Sequence, residues 1–360
     1  MTEHLKQKLN DSAVLRWSVL ALVAFTMLCG YFLTDVMSPL KPMLEKELLW
    51  DSLDYGFFTS AYGWFNVFLL MLIFGGIILD KMGVRFTGMG ACLLMVFGCG
   101  LKYYAISTTF PEGAMLFGFK TQVTLAALGY AIFGVGVEIA GITVSKIIVK
   151  WFKGREMALA MGSEMALARL GVATCMIFSP FVAKFGGVVS VSRSVAFGVV
   201  LLCIAMIMLV VYFFMDKKLD EQTGEAEEKD EPFKLSDLGQ ILTSSGFWLV
   251  SLLCVLYYSA IFPFQKYAVN MLQCNLTFTE VPADSFWGSQ SVTYIQYVIM
   301  LFVAATAFLF NFMKQKAVKF FVLALSIAGL VTYCYMGYMR QSAESIFAVF
   351  PLLAVGFTPV

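Results

Sequence analysis

The chain has 360 residues, of which 60% are hydrophobic and only 14% are charged, and its formal net charge is +1. Its mean hydropathy of +0.81 excludes a water-soluble globular domain, which needs more polar surface. We therefore expect most of the chain to lie in lipid, and we expect no nucleic-acid partner.

The apolar residues occur in long blocks. Each complete block is close to or above the about 20 residues that a helix needs to cross roughly 30 Å of hydrocarbon. The blocks are continuous rather than alternating, so they predict transmembrane helices at residues 17–40, 55–79, 86–107, 121–149, 157–182, 194–215, 247–271, 292–313 and 318–339. A tenth run begins at residue 345.

The basic residues set the expected orientation. If the N-terminus is cytoplasmic, the cytoplasmic segments hold about twice as many lysines and arginines as the outer segments. Lys102 and Lys266 count among the outer segments in this scheme. Because basic residues near span ends are retained in the cytoplasm, we predict a cytoplasmic N-terminus.

A charged stretch separates two sets of helices. Residues 216–237 are rich in aspartate and glutamate and cannot bury enough apolar surface to fold, so they predict a cytoplasmic linker. The expected organisation is a six-helix bundle at residues 1–215, a linker at 216–245 and a second bundle at 246–360. The second bundle is short. We expect about 10 of 12 spans in all, with truncation after about four helices of the second bundle.

The loop between the second and third spans reads GIILDKMGVR from Gly76 to Arg85. We expect Gly76 to allow close helix approach and Gly83 to permit a tight turn. Asp80 can pair with cytoplasmic charges and hold an inner gate, which makes Asp80, Lys81, Gly83 and Arg85 gating candidates. An ordinary positive-inside loop would explain the basic residues but neither the aspartate nor the glycines.

Two ionisable residues lie deep within predicted spans, Glu138 in the fourth and Arg169 in the fifth. Counted from the cytoplasmic ends of their spans at about 1.5 Å per residue, both lie roughly 18–20 Å deep. Such groups are costly in a bilayer and are functional candidates for that reason. They could bind opposite ends of a zwitterion, because arginine suits a carboxylate and glutamate accepts from an ammonium. A structural ion pair between the two spans is the alternative.

Two other features suggest gates or cavity walls. Asp35 lies near the outer end of the first span, where outer gating and simple hydration are both open interpretations. In the seventh span, Tyr257 and Tyr258 precede Pro263, a helix-breaking residue that suits a bent helix lining a cavity. An aromatic belt at the membrane interface is the alternative for these tyrosines.

The sequence gives no indication of catalysis or metal binding. The single histidine, His4, lies on the N-terminal tail, and no span carries a nucleophile at hydrogen-bond spacing from a base. We expect no catalytic residues, no metal ligands, no cofactor and no enzymatic activity.

Several stretches resemble the family of major facilitator superfamily domain-containing protein 1, the lysosomal dipeptide transporter, and its bacterial relatives. The loop from Gly76 to Arg85 is similar to the superfamily's loop signature, and six spans followed by a charged linker match its plan. The similar stretches are Tyr62–Val67, Gly75–Arg85, Phe133–Glu138, Trp151–Glu156, Ala168–Gly171 and Tyr257–Phe264.

The resemblance implies a major facilitator fold of two pseudo-symmetric helical bundles, and alternating-access transport of dipeptides by facilitated diffusion. The family's buried glutamate and arginine match Glu138 and Arg169 here and imply binding of the peptide's amino and carboxyl ends. The lysosomal member relies on a glycosylated accessory subunit, which a bacterial relative is not expected to have. The similar stretches add substrate-binding candidates, namely Tyr62, Trp64, Asn66, Tyr257 and Tyr258.

The N-terminal tail shows no acidic dileucine sorting signal, so we expect a bacterial inner membrane, or a lysosomal membrane if the source is eukaryotic. We expect a monomer whose partners are lipid and a small-molecule substrate. An organic-anion facilitator, for a monocarboxylate or a sugar acid, would need Arg169 but not Glu138. A non-transporting membrane receptor or assembly partner is the alternative from another class.

Overall fold

A computed structural model describes residues 9–111, 113–223, 239 and 241–275 of the chain. These residues form helices joined by short connections, with one small hairpin of strands β1 (Met115–Leu116) and β2 (Phe119–Lys120). The helices are α1 (Ala13–Asp35), α2 (Lys41–Glu47), α3 (Ser52–Ser60), α4 (Trp64–Phe68), α5 (Met71–Ser107), α6 (Thr121–Phe152), α7 (Met157–Lys184), α8 (Val191–Thr223) and α9 (Ser245–Asn275).

Five helices of the described part are long and apolar enough to cross a membrane: α1, α5, α6, α7 and α8. The prediction of an all-α membrane protein is therefore confirmed. Helix α9 covers the seventh predicted span, whereas the runs at 292–313, 318–339 and from 345 onward lie outside the described residues.

Helices α1 to α8 form one packed bundle. Helix α5 packs mainly on α6, α1 packs on α7, and α8 packs on both α1 and α5. Small residues allow the closest approach: a side chain at Gly98 would meet the backbone of α6 near Phe133, and one at Gly129 would meet the carbonyl of Gly98. We call the end that carries Leu9 and Phe152 the inner end. The end that carries Asp35 is the outer end, after the orientation that the basic residues predict.

The second span is broken, although its apolar run predicts one helix over residues 55–79. It consists of α3, a 3-10 turn (Ala61–Gly63), α4 and the first turns of α5, and Leu70 between the last two has a left-handed backbone with φ of 52°. The break lies against α6, where a side chain at Gly134 would clash with the carbonyl oxygen of Tyr62. The backbone at Tyr62 thus takes the space that a side chain would otherwise fill.

The second and third spans join at Gly83. Helical structure continues on both sides, and Gly83 alone is non-helical, with φ of 79° and ψ of 170°. The tight turn expected there is a kink at one residue, in a conformation that glycine adopts far more easily than other residues. The close approach expected at Gly76 belongs instead to Gly75, where a side chain would overlap Ile139 of α6, while Gly76 has open space within the described part.

Helix α8 extends beyond the predicted start of the linker. It ends at Thr223, and Asp216, assigned to the linker from sequence, is a fully buried residue of this helix. The composition of the segment suggested a solvated chain, but its first residues have basic partners on neighbouring helices. Of the rest of the predicted linker, residues 224–238 and 240 lie outside the described residues.

We predict that Gly83→Ala lowers the stability of the protein, because a Cβ strains the backbone at a φ of 79°. The expected loss is about 1–3 kcal/mol, visible as a lower melting temperature in detergent. Gly90→Ala, on the same helix with open space around the added Cβ, is the matched control and should not lower it. Equal melting temperatures for the two variants would contradict the strained turn.

Candidate functional site

Glu138 lies near the middle of α6 and faces the break in the second span. Its carboxylate oxygen Oε1 accepts a hydrogen bond of 2.7 Å from the hydroxyl of Tyr62. Gly134, one turn before Glu138, is the residue that lets the backbone at Tyr62 approach α6. The broken span and the small residue on α6 therefore act together to bring a neutral donor to a half-buried carboxylate.

Arg169 lies near the middle of α7. Its guanidinium carbon is 5.9 Å from the ring centroid of Tyr31 on α1, within the range of a cation–π contact. Among the described residues, no ion pair joins Arg169 to Glu138, so the two are not locked to each other in this conformation. Both charges have aromatic neighbours and retain capacity for other partners.

Tyr31 is a site residue that sequence reasoning missed. It is half-buried and interacts electrostatically with Arg169, Glu138 and Glu164, and also with Tyr258 of α9. Its position one helical turn before Asp35 was the available signal, because residues four apart share a helix face. Glu164, buried on α7, adds a second carboxylate near Arg169.

Of the other predicted binding residues, Asn66 has no hydrogen-bond partner in the described part of the chain, whereas Trp64 and Tyr258 pack against aromatic rings. The side-chain atoms Oδ1 and Nδ2 of Asn66 on α4 are both buried and have no hydrogen-bond partner in the described part of the chain. Trp64 instead packs edge-on against Phe57, with ring centroids 5.0 Å apart. Tyr258 stacks on Phe262 at 5.1 Å, and the side chain of Tyr257 lies outside the described set.

At the outer end, Asp35 forms an ion pair with Lys266 of α9 at 2.7 Å. Lys266 and Lys102 were expected in outer segments, yet both point into the bundle, and Lys102 is fully buried. Long side chains can reach inward from helix ends, which counting along the sequence cannot detect. Tyr130 of α6 donates to the Thr34 carbonyl at 2.6 Å, and its ring lies 5.4 Å from that of Tyr62.

At the inner end, the predicted gating loop pairs with neighbouring helices. Asp80 binds Lys146 of α6 at 3.0 Å, and Arg85 lies 3.1 Å from Asp220 of α8. Lys81 is exposed.

Asp216 is the buried centre of this inner network. It accepts from Lys150 at 2.9 Å and from the indole of Trp151 at 3.0 Å, and Arg85 lies 3.7 Å away. Three donors around one carboxylate can offset the cost of burying it.

A sequence model of the Major Facilitator Superfamily matches residues 20–360. The lysosomal dipeptide transporter MFSD1 of Pongo abelii is 26% identical over 335 residues, which is 90% of this chain and 66% of that protein. MFSD1 of Homo sapiens is 25% identical over 335 residues, with the same coverage of 90% and 66%. The match thus spans a little under two thirds of the length of these relatives.

Among solved structures, the xylose transporter XylE from E. coli in a partially occluded inward open conformation aligns with a TM-score of 0.67. The alignment covers 95% of this chain and 84% of XylE at 13% identity. At this identity the likeness is evidence for the fold alone.

We predict that Asp216→Ala destabilises the bundle by about 1–3 kcal/mol, because it leaves the Trp151 indole without its acceptor and removes one of the two acidic partners of Lys150, the other being Asp220. Thermal unfolding in detergent would measure the loss. Lys217→Ala is the matched control, since Lys217 is exposed on the same helix. A melting temperature unchanged by Asp216→Ala would show that the network does not hold α8 to α6.

Proposed function

This chain belongs to the Major Facilitator Superfamily, and we propose that it moves dipeptides or related zwitterions across a membrane by alternating access. In this proposal transport is facilitated diffusion, and no residue has a catalytic role. The similarity to proteins named lysosomal dipeptide transporter supports the substrate class. Those relatives are longer than the matched region, so the proposal for this chain depends on the residues of its own site.

The observation that carries the proposal is the state of Glu138 and Arg169. Both are central in their helices, carry opposite charges and form no ion pair with each other within the described residues. A free carboxylate accepts several hydrogen bonds, and Tyr62 supplies one of them. A zwitterion would supply an ammonium to Glu138 and a carboxylate to Arg169, which satisfies both half-buried charges at once.

The amide of Asn66 adds a reason to favour peptides over single amino acids. A peptide bond presents one carbonyl acceptor and one N–H donor. The Asn66 side chain offers the complementary pair, and both of its polar atoms are buried and unpartnered in the described structure. A buried polar group without a partner is costly, so a ligand that pairs with it gains affinity. We also propose that Trp64, Tyr257 and Tyr258 line the substrate-binding site.

The charge pairs at the two ends are proposed gates. Asp35 acts at the outer end, while Asp80, Lys81, Gly83 and Arg85 act at the inner end. In a carrier that rocks around a central site, contacts at one end close when those at the other open. We also propose a cytoplasmic N-terminus, a monomer, and an inner-membrane location, or a lysosomal one in a eukaryotic source.

We predict that Glu138→Gln and Arg169→Ala each reduce dipeptide uptake into proteoliposomes by about 10- to 100-fold. Each removes a charge-assisted hydrogen bond worth about 1.5–3 kcal/mol. Glu221→Gln, an exposed carboxylate on α8, is the matched control and should transport normally. Size-exclusion profiles would confirm that all three variants fold.

The same variants separate the alternatives. An organic-anion facilitator would lose activity with Arg169→Ala only. If the protein is a receptor or assembly partner, the parent chain would show no uptake, even if ligands raise its melting temperature. Full dipeptide uptake by both site variants would refute the site assignment.

We predict that Asn66→Leu weakens dipeptide binding about tenfold or more while binding of single amino acids changes little. The reason is the loss of two hydrogen bonds to the peptide group, worth about 0.5–1.5 kcal/mol each. Leucine has a similar volume and leaves no unpaired polar atom, so the fold should persist. Thermal-shift titrations with a dipeptide and with its two component amino acids would measure the difference. An equal loss for both ligand classes would contradict a role in reading the peptide bond.

A further inference from the structure

The outer end holds a buried charge cluster in which α9 meets α1 and α6. The ammonium of Lys266 donates to Asp35 at 2.7 Å, to the carbonyl of Thr34 at 2.7 Å and to the hydroxyl of Tyr130 at 2.9 Å. A lysine ammonium has three N–H donors, and all three are used here. Asp35 is 4% exposed, so this ion pair is largely shielded from water.

This cluster joins the two predicted halves of the chain. Helix α9 is the first long helix after the charged linker, whereas α1 and α6 belong to the first six spans. Tyr55 of α3 adds contacts to α9, with its hydroxyl 3.4 Å from the carbonyl of Lys266 and its ring 5.6 Å from that of Tyr267. A path opening at the outer end between the halves must therefore separate Lys266 from Asp35.

Lys102 is a second lysine that reaches the outer end of α1, where it bonds a backbone carbonyl two residues before Asp35. It lies on α5, is fully buried, and donates to the carbonyl of Leu33 at 3.3 Å. Its ammonium is 5.1 Å from the ring centroid of Tyr130 and interacts electrostatically with both Asp35 and Lys266. Within the described residues, that carbonyl is its only hydrogen-bond acceptor. Lys102 therefore has donors to spare in the state in which Lys266 holds Asp35.

We propose that Asp35 exchanges partners between two lysines, pairing with Lys266 of α9 when the outer end is closed and with Lys102 of α5 when it opens. The exchange removes the main obstacle to opening, which is a buried carboxylate left without a cation. Lys102 belongs to the same half as Asp35, so the second pair survives separation of the halves. The inference rests on the proposed function only in assuming that the halves separate at the outer end.

The first test is hydrogen exchange on the full chain in lipid nanodiscs, without substrate. Lys266→Met should speed exchange at the outer end of α1 and the following residues, 34–40, by about tenfold or more, because the closed state loses its ion pair. Lys120→Met is the matched control. Lys120 pairs with Asp54 at 2.7 Å at the same end, but both partners belong to the first half. Unchanged exchange in Lys266→Met, or equal acceleration in the control, would overturn the proposal that the Asp35–Lys266 pair closes the outer end.

The second test is a double-mutant cycle of melting temperatures. Lys102→Met should lower the melting temperature more in the Lys266→Met background than in the parent, because Asp35 then has neither lysine. Adding Asp35→Asn to the double variant should remove that extra loss. An equal effect of Lys102→Met in both backgrounds would overturn the exchange of partners.

Neither measurement involves a substrate. If the dipeptide assay fails, both tests still decide whether Asp35 exchanges partners between Lys266 and Lys102. If these tests fail, the proposal that the chain transports dipeptides is unaffected.

Discussion

A charged side chain inside an apolar bundle is costly unless it finds a partner, and this constraint organises the whole interior of the protein. At the outer end Asp35 and Lys266 satisfy each other, and at the inner end Asp216 takes donors from Lys150 and Trp151. The centre differs, because Glu138 and Arg169 are held there by neutral aromatic side chains. The main charge pairs of the described part thus lie at the two ends, whereas Glu138 and Arg169 in the middle form no ion pair with each other.

The spans were predictable because their signal is local. An apolar run of sufficient length predicts a membrane helix wherever it occurs, and counting residues along α6 and α7 placed Glu138 and Arg169 near mid-depth. The break in the second span was not predictable, since its residues read as one continuous apolar run. The left-handed backbone at Leu70 and the contact of Tyr62 with Gly134 are tertiary features, set by the neighbouring helix.

The site residues likewise divide into those with a local sequence signal and those defined by tertiary contacts. Ionisable residues in a span are rare and stand out, whereas Tyr31 is one aromatic among many and gains meaning only from its neighbours. Lys102 and Lys266 were assigned to outer segments because position along a helix does not reveal where a long side chain ends. Helix α8 continues past the predicted start of the linker for a related reason: composition describes a segment alone, and the buried state of Asp216 depends on Lys150 and Arg85.

The seam between α1 and α9 connects the centre of the protein with its outer end. Tyr31 and Asp35 lie one turn apart on α1, and Tyr258 and Lys266 lie about two turns apart on α9. Tyr31 lies within electrostatic range of Tyr258 near the central charges, while Asp35 binds Lys266 further out. Because both pairs lie along the same two helices, α9 cannot move away from α1 as a rigid body without changing both. The geometry of a single helix pair therefore couples the environment of Arg169 to the closure of the outer end.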